Sequence, residues 1–314
     1  MTDVTLSIVI PFKNEMKSIK ALFARLLPIL NDLKIPFEII CVNDGSTDNT
    51  YIALLQEQRN IPEIVIVDLS RNFGKEAALT AGIEVAKGKA LIPLDADLQD
   101  PPELIPEMIE KWQNGAEVVL AIRTLRQTDS YFTRKSAAIF YWILNQLSEI
   151  DIPANSGDFR LINRQVIDTF LSLPEKARFN KGLFAWLGFK TSIIHFERPL
   201  RVSGSSKWSF RKLWSFAIDG ITSFSSFPLR IWSYLGLIIA LVAIGYGISI
   251  VLKVLVFGVQ DVPGYASLIV TVLFSCGLNL IGLGVVAEYI SRIFIEVKSR
   301  PLYVVRKIDR HRSQ

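Results

Sequence analysis

Residues 6–15 read LSIVIPFKNE, a short apolar run that ends in a polar cluster. The same order recurs in residues 37–48, FEIICVNDGSTD, and in residues 90–99, ALIPLDADLQ, while residues 64–69, IVIVDL, form another apolar run. Segments in which apolar residues recur at helical spacing lie between these runs, at residues 18–33, 49–59 and 75–86. Apolar strands that alternate with helices are typical of a sheet that is buried on both faces. We therefore expect an α/β fold with a parallel, doubly wound sheet, whose ligand groups lie at the carboxyl ends of the strands.

Two long uncharged stretches account for the apolar composition of the chain. Of the 314 residues, 50% are hydrophobic and 21% are charged, whereas a typical soluble domain is about 25% charged. Residues 231–252 and 262–287 carry no formal charge, and a helix of about 20 apolar residues spans a bilayer. We expect a two-helix transmembrane hairpin over residues 231–288. Buried globular helices are the alternative, but two such lengths in succession exceed the usual length of globular helices.

Basic residues flank this hairpin on both sides, and the formal net charge of the chain is +5. By the positive-inside rule both flanks are cytoplasmic. We expect a multi-pass protein of the inner, cytoplasmic membrane, with a cytoplasmic domain over residues 1–200, an interfacial amphipathic region over residues 201–230 and a basic cytoplasmic tail over residues 289–314. A second amphipathic segment, residues 131–147, also suits the headgroup layer. Because the positive charge lies beside the hairpin, it indicates a lipid bilayer as partner and not a nucleic acid.

The sequence Asp95-Ala96-Asp97 places two carboxylates on the same side of an extended segment, and Gln99 continues the alternation. Two neighbouring like charges are unfavourable unless a cation relieves them. Mg²⁺ and Mn²⁺ commonly bind through one or two carboxylates together with phosphate oxygens. The pattern therefore indicates a divalent metal that also holds a diphosphate, and the alternative is a solvated loop before a helix that begins near Pro101.

The loop that follows residues 37–43 reads Asn-Asp-Gly-Ser at residues 43–46. A carboxylate at Asp44 can accept hydrogen bonds from a base or ribose, and Gly45 lets a backbone approach closely. A turn followed by a helix cap explains the same residues equally well. The chain has no GxGxxG after its first strand, no GxxxxGK[ST] and no GxSxG. Dinucleotide oxidoreduction, P-loop phosphoryl transfer and serine hydrolysis therefore lose support.

Five segments in order, SIVIPFKNE, NDGSTDNT, NFGKEAALTAG, DADLQDPPE and SGDFRLINR, together resemble the inverting glycosyltransferases of family 2. Within that family the chain is similar to the polyprenyl-phosphate sugar transferases, the group of the bactoprenol glucosyltransferases and the dolichol-phosphate mannose synthases. The resemblance covers nearly the whole chain. It implies a GT-A fold, a nucleotide-diphosphate sugar as donor, Mg²⁺ or Mn²⁺ as cofactor and a polyprenyl phosphate as acceptor. It also favours a homo-oligomer, with a tetramer preferred.

The resemblance also implies a set of site residues. Those for the nucleotide sugar are Pro11, Phe12, Asn14, Glu15, Asp44, Ser46, Asp68, Lys75, Asp95, Ala96, Asp97 and Arg123. Those for the metal are Asp95, Asp97 and Gln99. Those for the lipid phosphate are Arg134, Arg201, Ser206 and Lys207, the last three within a segment, RVSGSSKW, that is similar to an RxxGxSK pattern of the family. Several cations suit two phosphorylated ligands in one cleft, and solvated surface charge is the alternative.

The catalytic residues implied in this way are Asp158, Asp97, Arg201 and Lys207. Asp158 falls where processive relatives have a general base. A lipid monophosphate has a second pKa near 6 and is already largely a competent anion at neutral pH. Asp158 therefore has two other interpretations: it positions the acceptor or balances Arg160, or it caps a turn.

The function that we expect is transfer of a hexose, glucose from UDP-glucose, onto polyprenyl (undecaprenyl) phosphate at the cytoplasmic face of the membrane, with inversion. A mannosyltransferase that uses GDP-mannose stays open, because motifs do not resolve the contacts that select the sugar. A non-catalytic sugar-lipid carrier or flippase component is the alternative from another class. A processive polysaccharide synthase ranks third, because no QxxRW-type motif is evident.

Overall fold

The computed structural model describes residues 4–124, 156–176, 180–196, 227–257 and 264–311. These residues belong to two compact units, one formed by Met1–Gly220 with Arg300–Gln314 and the other by Ile221–Ser299. The predicted segment 131–147 and most of the predicted region 201–230 lie outside the described residues.

Eight strands form one sheet in the first unit. Their bounds are β1 Leu6–Phe12, β2 Phe37–Asn43, β3 Ile64–Leu69, β4 Ala90–Pro93, β5 Val118–Arg123, β6 Ser156–Asn163, β7 Thr191–Phe196 and β8 Val305–Arg310. Among the described residues of this unit, the helices are α1 Ile19–Asp32, α2 Thr50–Asn60, α3 Lys75–Val85, α4 Ile105–Gln113, α5 Arg164–Ser172 and α6 Asn180–Trp186, with a 3-10 turn at Pro102–Leu104.

The centre of the sheet is parallel. Strands β4, β1, β2 and β3 lie side by side in that order and run in the same direction. This confirms the parallel arrangement that the alternating pattern predicts. The sheet as a whole is mixed, because β6 pairs antiparallel with β4 and with β5, β7 pairs parallel with β5, and β8 pairs antiparallel with β3.

The central strands are buried on both faces, as their mostly apolar sequences indicate. Every residue of β3 is buried, and so is every residue of β1 except Pro11. One face packs against α1 and α2, where Leu22, Leu26 and Leu54 are fully buried. Full burial of a Leu or Ile side chain contributes about 1.5–3 kcal/mol, so this double-sided core holds the ends of the strands in fixed positions.

Helix α3 lies on the other face, and a glycine allows it to approach the sheet closely. A Cβ at Gly82 would overlap the side chain of Val9 and come within 3.0 Å of Val42. The absence of a side chain at Gly82 therefore sets the distance between α3 and strands β1 and β2. Because Lys75 is the first residue of α3, the same packing sets where Lys75 lies.

The C-terminal segment differs from its prediction as a basic tail over residues 289–314. The last long helix continues to Val297, and Val305–Arg310 then forms the edge strand β8 of the sheet. The physical reason is the edge position, where charged side chains on a strand stay in water and also discourage pairing with other chains. Its sequence VRKIDR therefore looks like a solvated tail although its backbone belongs to the sheet.

The second unit consists of two long helices, α7 Phe227–Phe257 and α8 Tyr265–Val297. Within α8, the segment Leu268–Val297 is long and apolar enough to cross a membrane. Within α7, the apolar segment found among the described residues, Tyr234–Tyr246, is shorter than the about 20 residues that a span needs. Of the two spans predicted over residues 231–288, the described residues thus support one, in α8.

Candidate active site

A cleft of about 310 Å³ lies at the carboxyl ends of the parallel strands. Its lining residues come from the ends of β1, β2 and β4 and from the segment that leads into α3: Pro11, Phe12, Lys13, Glu15, Asp44, Asn72, Gly74, Lys75, Asp95, Ala96 and Asp97. Most residues predicted for the nucleotide sugar therefore lie together in one cleft, as the ends of parallel strands require. Their roles in binding stay predictions.

Lys75 joins two carboxylates at this cleft. Its Nζ lies 2.6 Å from Oδ1 of Asp95, which follows β4, and 2.6 Å from Oδ2 of Asp158, which lies on β6. The side chains of Asp95 and Asp158 are 27% and 14% exposed, so one ammonium group forms ion pairs with two partly buried carboxylates and offsets one of their two negative charges. The fold thus brings Asp158 close to Asp95, one of the predicted metal ligands. The sequence alone does not show this proximity.

The charge of Lys75 follows from these neighbours. Burial alone would lower the pKa of Lys75, but the negative charges of Asp95 and Asp158 and the hydrogen bonds that they accept outweigh it and raise this pKa above its ordinary value of 10.5. Lys75 is therefore a fixed positive charge at neutral pH.

Asp44 holds a backbone segment. Its Oδ1 accepts a hydrogen bond from the Phe73 amide at 2.7 Å, and its Oδ2 accepts one from the Gly74 amide at 3.0 Å. Asp44 is buried. Its carboxylate, predicted to contact a base or ribose, thus shapes the entrance to α3, and each oxygen keeps a further lone pair for a ligand.

Asn14 and Ser46 connect the loops after β1 and β2. The backbone N–H of Asn14 donates to Ser46 Oγ at 3.0 Å, and the side-chain Oδ1 of Asn14 accepts from the backbone N–H of Thr47 at 2.8 Å. Neither Asn14 nor Ser46 is among the residues that line the cleft. They determine the positions of Lys13, whose Nζ donates to the Gly45 carbonyl at 3.2 Å, and of Glu15.

Asp68 also lies behind the cleft. It is buried, and its Oδ1 accepts a hydrogen bond from Asn43 Nδ2 at 2.7 Å, while its Oδ2 lies 3.3 Å from Nη1 of Arg306 on β8. The structure therefore places Asp68 in an ion pair with the C-terminal strand and not among the residues that line the cleft.

Of the three predicted metal ligands, Asp95 and Asp97 line the cleft and Gln99 does not. Asp97 Oδ1 accepts a hydrogen bond from the backbone N–H of Gln99 at 3.1 Å. Gln99 is buried and does not line the cleft. Within the parts of the chain that the structure describes, no group of three or more His, Cys, Asp or Glu side chains could hold a metal ion. Asp95 and Asp97 nevertheless fit Mg²⁺ or Mn²⁺, because such ions bind one or two carboxylates and complete their coordination with phosphate oxygens and water.

Arg160 is a buried cation near Asp158. Its Nη2 donates to the Gly157 carbonyl at 2.8 Å, and its guanidinium stacks 4.8 Å from the ring of Phe184. Burial lowers the pKa of Arg160, and the negative charges of Asp158 and Glu76 oppose that effect. The Asp158 carboxylate therefore forms an ion pair with the exposed Lys75 and also interacts electrostatically with the buried Arg160.

Five predicted phosphate-binding residues are not placed in the cleft. Arg123 is the last residue of β5, and its side chain lies outside the described part of the structure. Arg134, Arg201, Ser206 and Lys207 lie outside the described residues altogether.

Lys13, Asn72 and Gly74 line the cleft and were not predicted to bind. Each lies within one of the quoted motifs, but the motif does not show which of its side chains face the cleft.

Comparison with known proteins agrees with this architecture. The sequence model of the family described as Glycosyl transferase family 2 matches residues 7–171. A Synechocystis protein named an uncharacterized glycosyltransferase is 52% identical over 96% of this chain and 95% of its own length. A prophage-derived bactoprenol glucosyl transferase of Shigella flexneri is 46% identical over 97% of this chain and 98% of its own length.

The solved structures support the fold. Mannosyl-3-phosphoglycerate synthase from Rubrobacter xylanophilus matches 69% of this chain and 71% of its own, at 16% identity and a TM-score of 0.50. The first unit therefore has a GT-A-like α/β fold with a mixed sheet.

Proposed function

The chain belongs to glycosyl transferase family 2, and on this premise we propose that it transfers glucose from UDP-glucose to a polyprenyl phosphate, with inversion at the anomeric carbon. That the chain is a glycosyltransferase follows from its family. The choice of sugar and acceptor is supported by relatives named bactoprenol glucosyl transferase, which align with nearly the full chain.

The observation that carries the proposal is the Asp95–Lys75–Asp158 cluster at the cleft. A donor diphosphate needs positive charge at its phosphates. A reaction between two phosphorylated molecules also needs groups that hold each of them apart from water. Lys75 supplies a fixed positive charge, and Asp97 lies beside it in the same cleft. The cluster thus joins the predicted donor motif to the residue predicted to act at the acceptor.

In the proposed mechanism, Asp95 and Asp97 would hold Mg²⁺ or Mn²⁺ beside the donor diphosphate, and Pro11, Phe12 and Glu15 would line the nucleoside end. Such an ion, when bound, neutralises charge on the leaving diphosphate. Lys75 does the same from the protein side, since its ammonium is already oriented by two carboxylates. A preoriented charge in a partly buried cleft stabilises developing negative charge without reorganisation.

Asp158 acts in this proposal as a group that positions other groups. The acceptor phosphate is already an anion at neutral pH and attacks without first losing a proton. Asp158 orients Lys75 through their 2.6 Å contact. Arg123, Arg134, Arg201, Ser206 and Lys207 stay predicted ligands of the two phosphorylated substrates.

We further propose that the protein spans the membrane twice. Strand β8 follows α8 in the chain and pairs with β3, in the same sheet as the N-terminal strands. The chain must therefore return to the side of the membrane that it left, which requires an even number of crossings. Helix α8 qualifies as one span, and the 31-residue α7 is the other long helix. The sheet then lies on the cytoplasmic side, as the basic flanks predict.

A labelling experiment tests this topology. A Gln260→Cys variant, with the cysteine between α7 and α8, is expected to react with a membrane-impermeant maleimide in intact cells. A Gln314→Cys variant is expected to react only after lysis. Equal labelling of both positions in intact cells would contradict two spans.

A transfer assay tests the function. The purified protein is incubated with short-chain polyprenyl phosphate and radiolabelled UDP-glucose or GDP-mannose, with and without a chelator, and the organic-extractable label is counted. Label from UDP-glucose that depends on a divalent ion is expected. Label from GDP-mannose alone would identify a mannosyltransferase, and binding of the nucleotide sugar without transfer would identify a carrier. Mass measurement of the detergent-solubilised protein tests the predicted homotetramer.

A further inference from the structure

Arg306, on the C-terminal strand β8, contacts the two ends of a polar network that lies behind the cleft. Its Nη1 lies 3.3 Å from Asp68 Oδ2, and its Nη2 donates to the Ser70 carbonyl at 2.7 Å. The side chain of Arg306 is 62% exposed, whereas that of Asp68 is 6% exposed. The arginine therefore reaches from the surface to a buried carboxylate, and neither partner lies on its own strand.

The first end of the network leads to the loop after β2. Asp68 accepts a hydrogen bond from Asn43 Nδ2 at 2.7 Å, and Asn43 Oδ1 accepts from the Ser46 amide at 3.3 Å. Asp44, which lies between them, lines the cleft. A change in the orientation of Asp68 is thus transmitted to the loop that carries Asp44.

The second end leads to the segment before α3. Ser70 opens residues 70–74, of which Asn72 and Gly74 line the cleft, and Lys75 follows directly. The Ser70 amide donates to the Val304 carbonyl at 2.9 Å, so both backbone groups of Ser70 are held by the C-terminal segment. The far end of the same segment is held by Asp44, through the amides of Phe73 and Gly74.

Strand β8 is itself firmly anchored. The Tyr51 hydroxyl donates to Asp309 Oδ2 at 2.7 Å, and Gln58 Nε2 donates to the Asp309 carbonyl at 2.9 Å. Burial and the negative charge of Asp309 raise the pKa of Tyr51 to about 12, so this hydroxyl stays a donor at neutral pH. These contacts hold strand β8, and with it the backbone of Arg306, in a fixed position.

We propose that Arg306 is a positioning residue of the nucleotide-sugar site, which holds the segment 70–74 and the loop after β2 in the arrangement that binds the donor. The inference rests on the proposed function, because it names the ligand of the same cleft. Arg306 does not line the cleft and acts through Ser70 and Asp68. The C-terminal strand β8 then stabilises the conformation of the donor site.

The experiment compares Arg306→Ala with Arg306→Lys and with the control Arg310→Ala. Arg310 is an exposed arginine of the same strand, paired through its backbone with Val65. For Arg306→Ala we expect the KM for UDP-glucose to rise about tenfold while kcat and the KM for polyprenyl phosphate change less than about twofold, the pattern of lost donor binding. Arg306→Lys keeps the charge but not the two-pronged contact, and it should give an intermediate KM. Arg310→Ala should match the wild type.

Two further readouts separate positioning from simple loss of stability. Amide hydrogen exchange of a peptide that covers residues 70–75 should speed up in Arg306→Ala and not in Arg310→Ala. Calorimetry with UDP should show weaker binding in Arg306→Ala and unchanged binding in Arg310→Ala. If Arg306→Ala fails to fold, the KM of Arg306→Lys decides by the same criterion.

Equal UDP affinity and equal exchange in folded Arg306→Ala and wild type would overturn the inference. An unchanged donor KM in Arg306→Lys would do so if the alanine variant is unfolded. Failure of the proposed function has a different result, a wild type that binds UDP but transfers no glucose to polyprenyl phosphate.

Discussion

Replacement of Lys75 by methionine tests the centre of the cleft. The variant keeps the length and most of the volume of the side chain and removes only the ammonium group between Asp95 and Asp158. Because both carboxylates lie 2.6 Å from Nζ, the loss leaves two like charges facing each other across the cleft. The same change removes the positive charge that we propose for the donor diphosphate.

The structural and catalytic costs differ in size. The side chain of Lys75 is 41% exposed, and solvent-exposed ion pairs contribute about 0.2–1 kcal/mol each. Loss of two pairs therefore costs at most about 2 kcal/mol, or about 4–8 °C in Tm for a domain of this size. Loss of an oriented charge at a developing anion lowers kcat about 100- to 1,000-fold. Activity should thus fall far more than folding accounts for.

The pH dependence has a defined sign. The carboxylates raise the pKa of Lys75 above 10.5, so its stabilising contribution is fully present below that value and is lost only as the pH rises through the raised pKa. The difference in Tm between wild type and Lys75→Met should therefore stay constant from about pH 6 to about pH 9.

The assay is transfer of labelled glucose to polyprenyl phosphate, with melting curves of the same samples. Lys20→Met is the matched control, because Lys20 is an exposed lysine of α1 and its replacement should change stability by less than about 0.5 kcal/mol. A Lys75→Met variant that melts normally and keeps kcat within about threefold of the wild type would refute the role of Lys75 at the donor diphosphate. Loss of an oriented charge at a developing anion should lower kcat at least about 100-fold.

Three further predictions follow from single contacts. Asp97→Ala should abolish transfer while circular dichroism and Tm stay near the wild type, and near-normal turnover would exclude Asp97 as a metal ligand. Gly82→Ala should destabilise the catalytic unit by about 1–3 kcal/mol in chemical denaturation, because the added methyl overlaps Val9. Burial alone would raise the pKa of Glu103, but its bidentate contact with Arg25, at 2.6 and 2.8 Å, lowers it below 4.5. The Tm difference between wild type and Glu103→Gln should therefore be fully present above pH 4.5 and be lost as the pH falls from there through the lowered pKa, because the folded protein holds this carboxyl ionised more strongly than the unfolded chain does.

The parallel half of the sheet was predictable because its strands are buried on both faces. Such strands have nearly continuous apolar sequences, and the runs at residues 37–43 and 64–69 match β2 and β3 in full. Polar residues begin where the strands leave the core, and for this reason the same pattern also located the cleft.

The C-terminal strand could not be predicted in the same way. Strand β8 has one solvent-exposed edge, and four of its six residues, VRKIDR, are charged. Its partner β3 is more than 200 positions away in the chain, as the contact from Arg306 to Asp68 over 238 positions shows. No local pattern encodes a pairing of that range.

The site was predictable as a set of positions but not as a set of contacts. Lys75 lies 20 positions from Asp95 and 83 positions from Asp158, so only the folded sheet reveals that one ammonium serves both. Asp44 is a similar case. Its motif marks it as important, whereas the structure shows that its carboxylate holds the backbone at Phe73 and Gly74.

The order of elements along the chain links the cleft to the two long helices. Strand β8 is translated after α7 and α8, so the sheet receives its last strand only when both helices have been made. Until then β3 has an unpaired edge, and Ser70 and Asp68 lack their contacts with Val304 and Arg306. Unpaired strand edges are open to wrong pairing. The contacts with Val304 and Arg306 are made after α7 and α8, so a chain that ends before these helices lacks the contacts that hold the segments around the cleft. The position of β8 thus makes a complete cleft depend on synthesis of both helices.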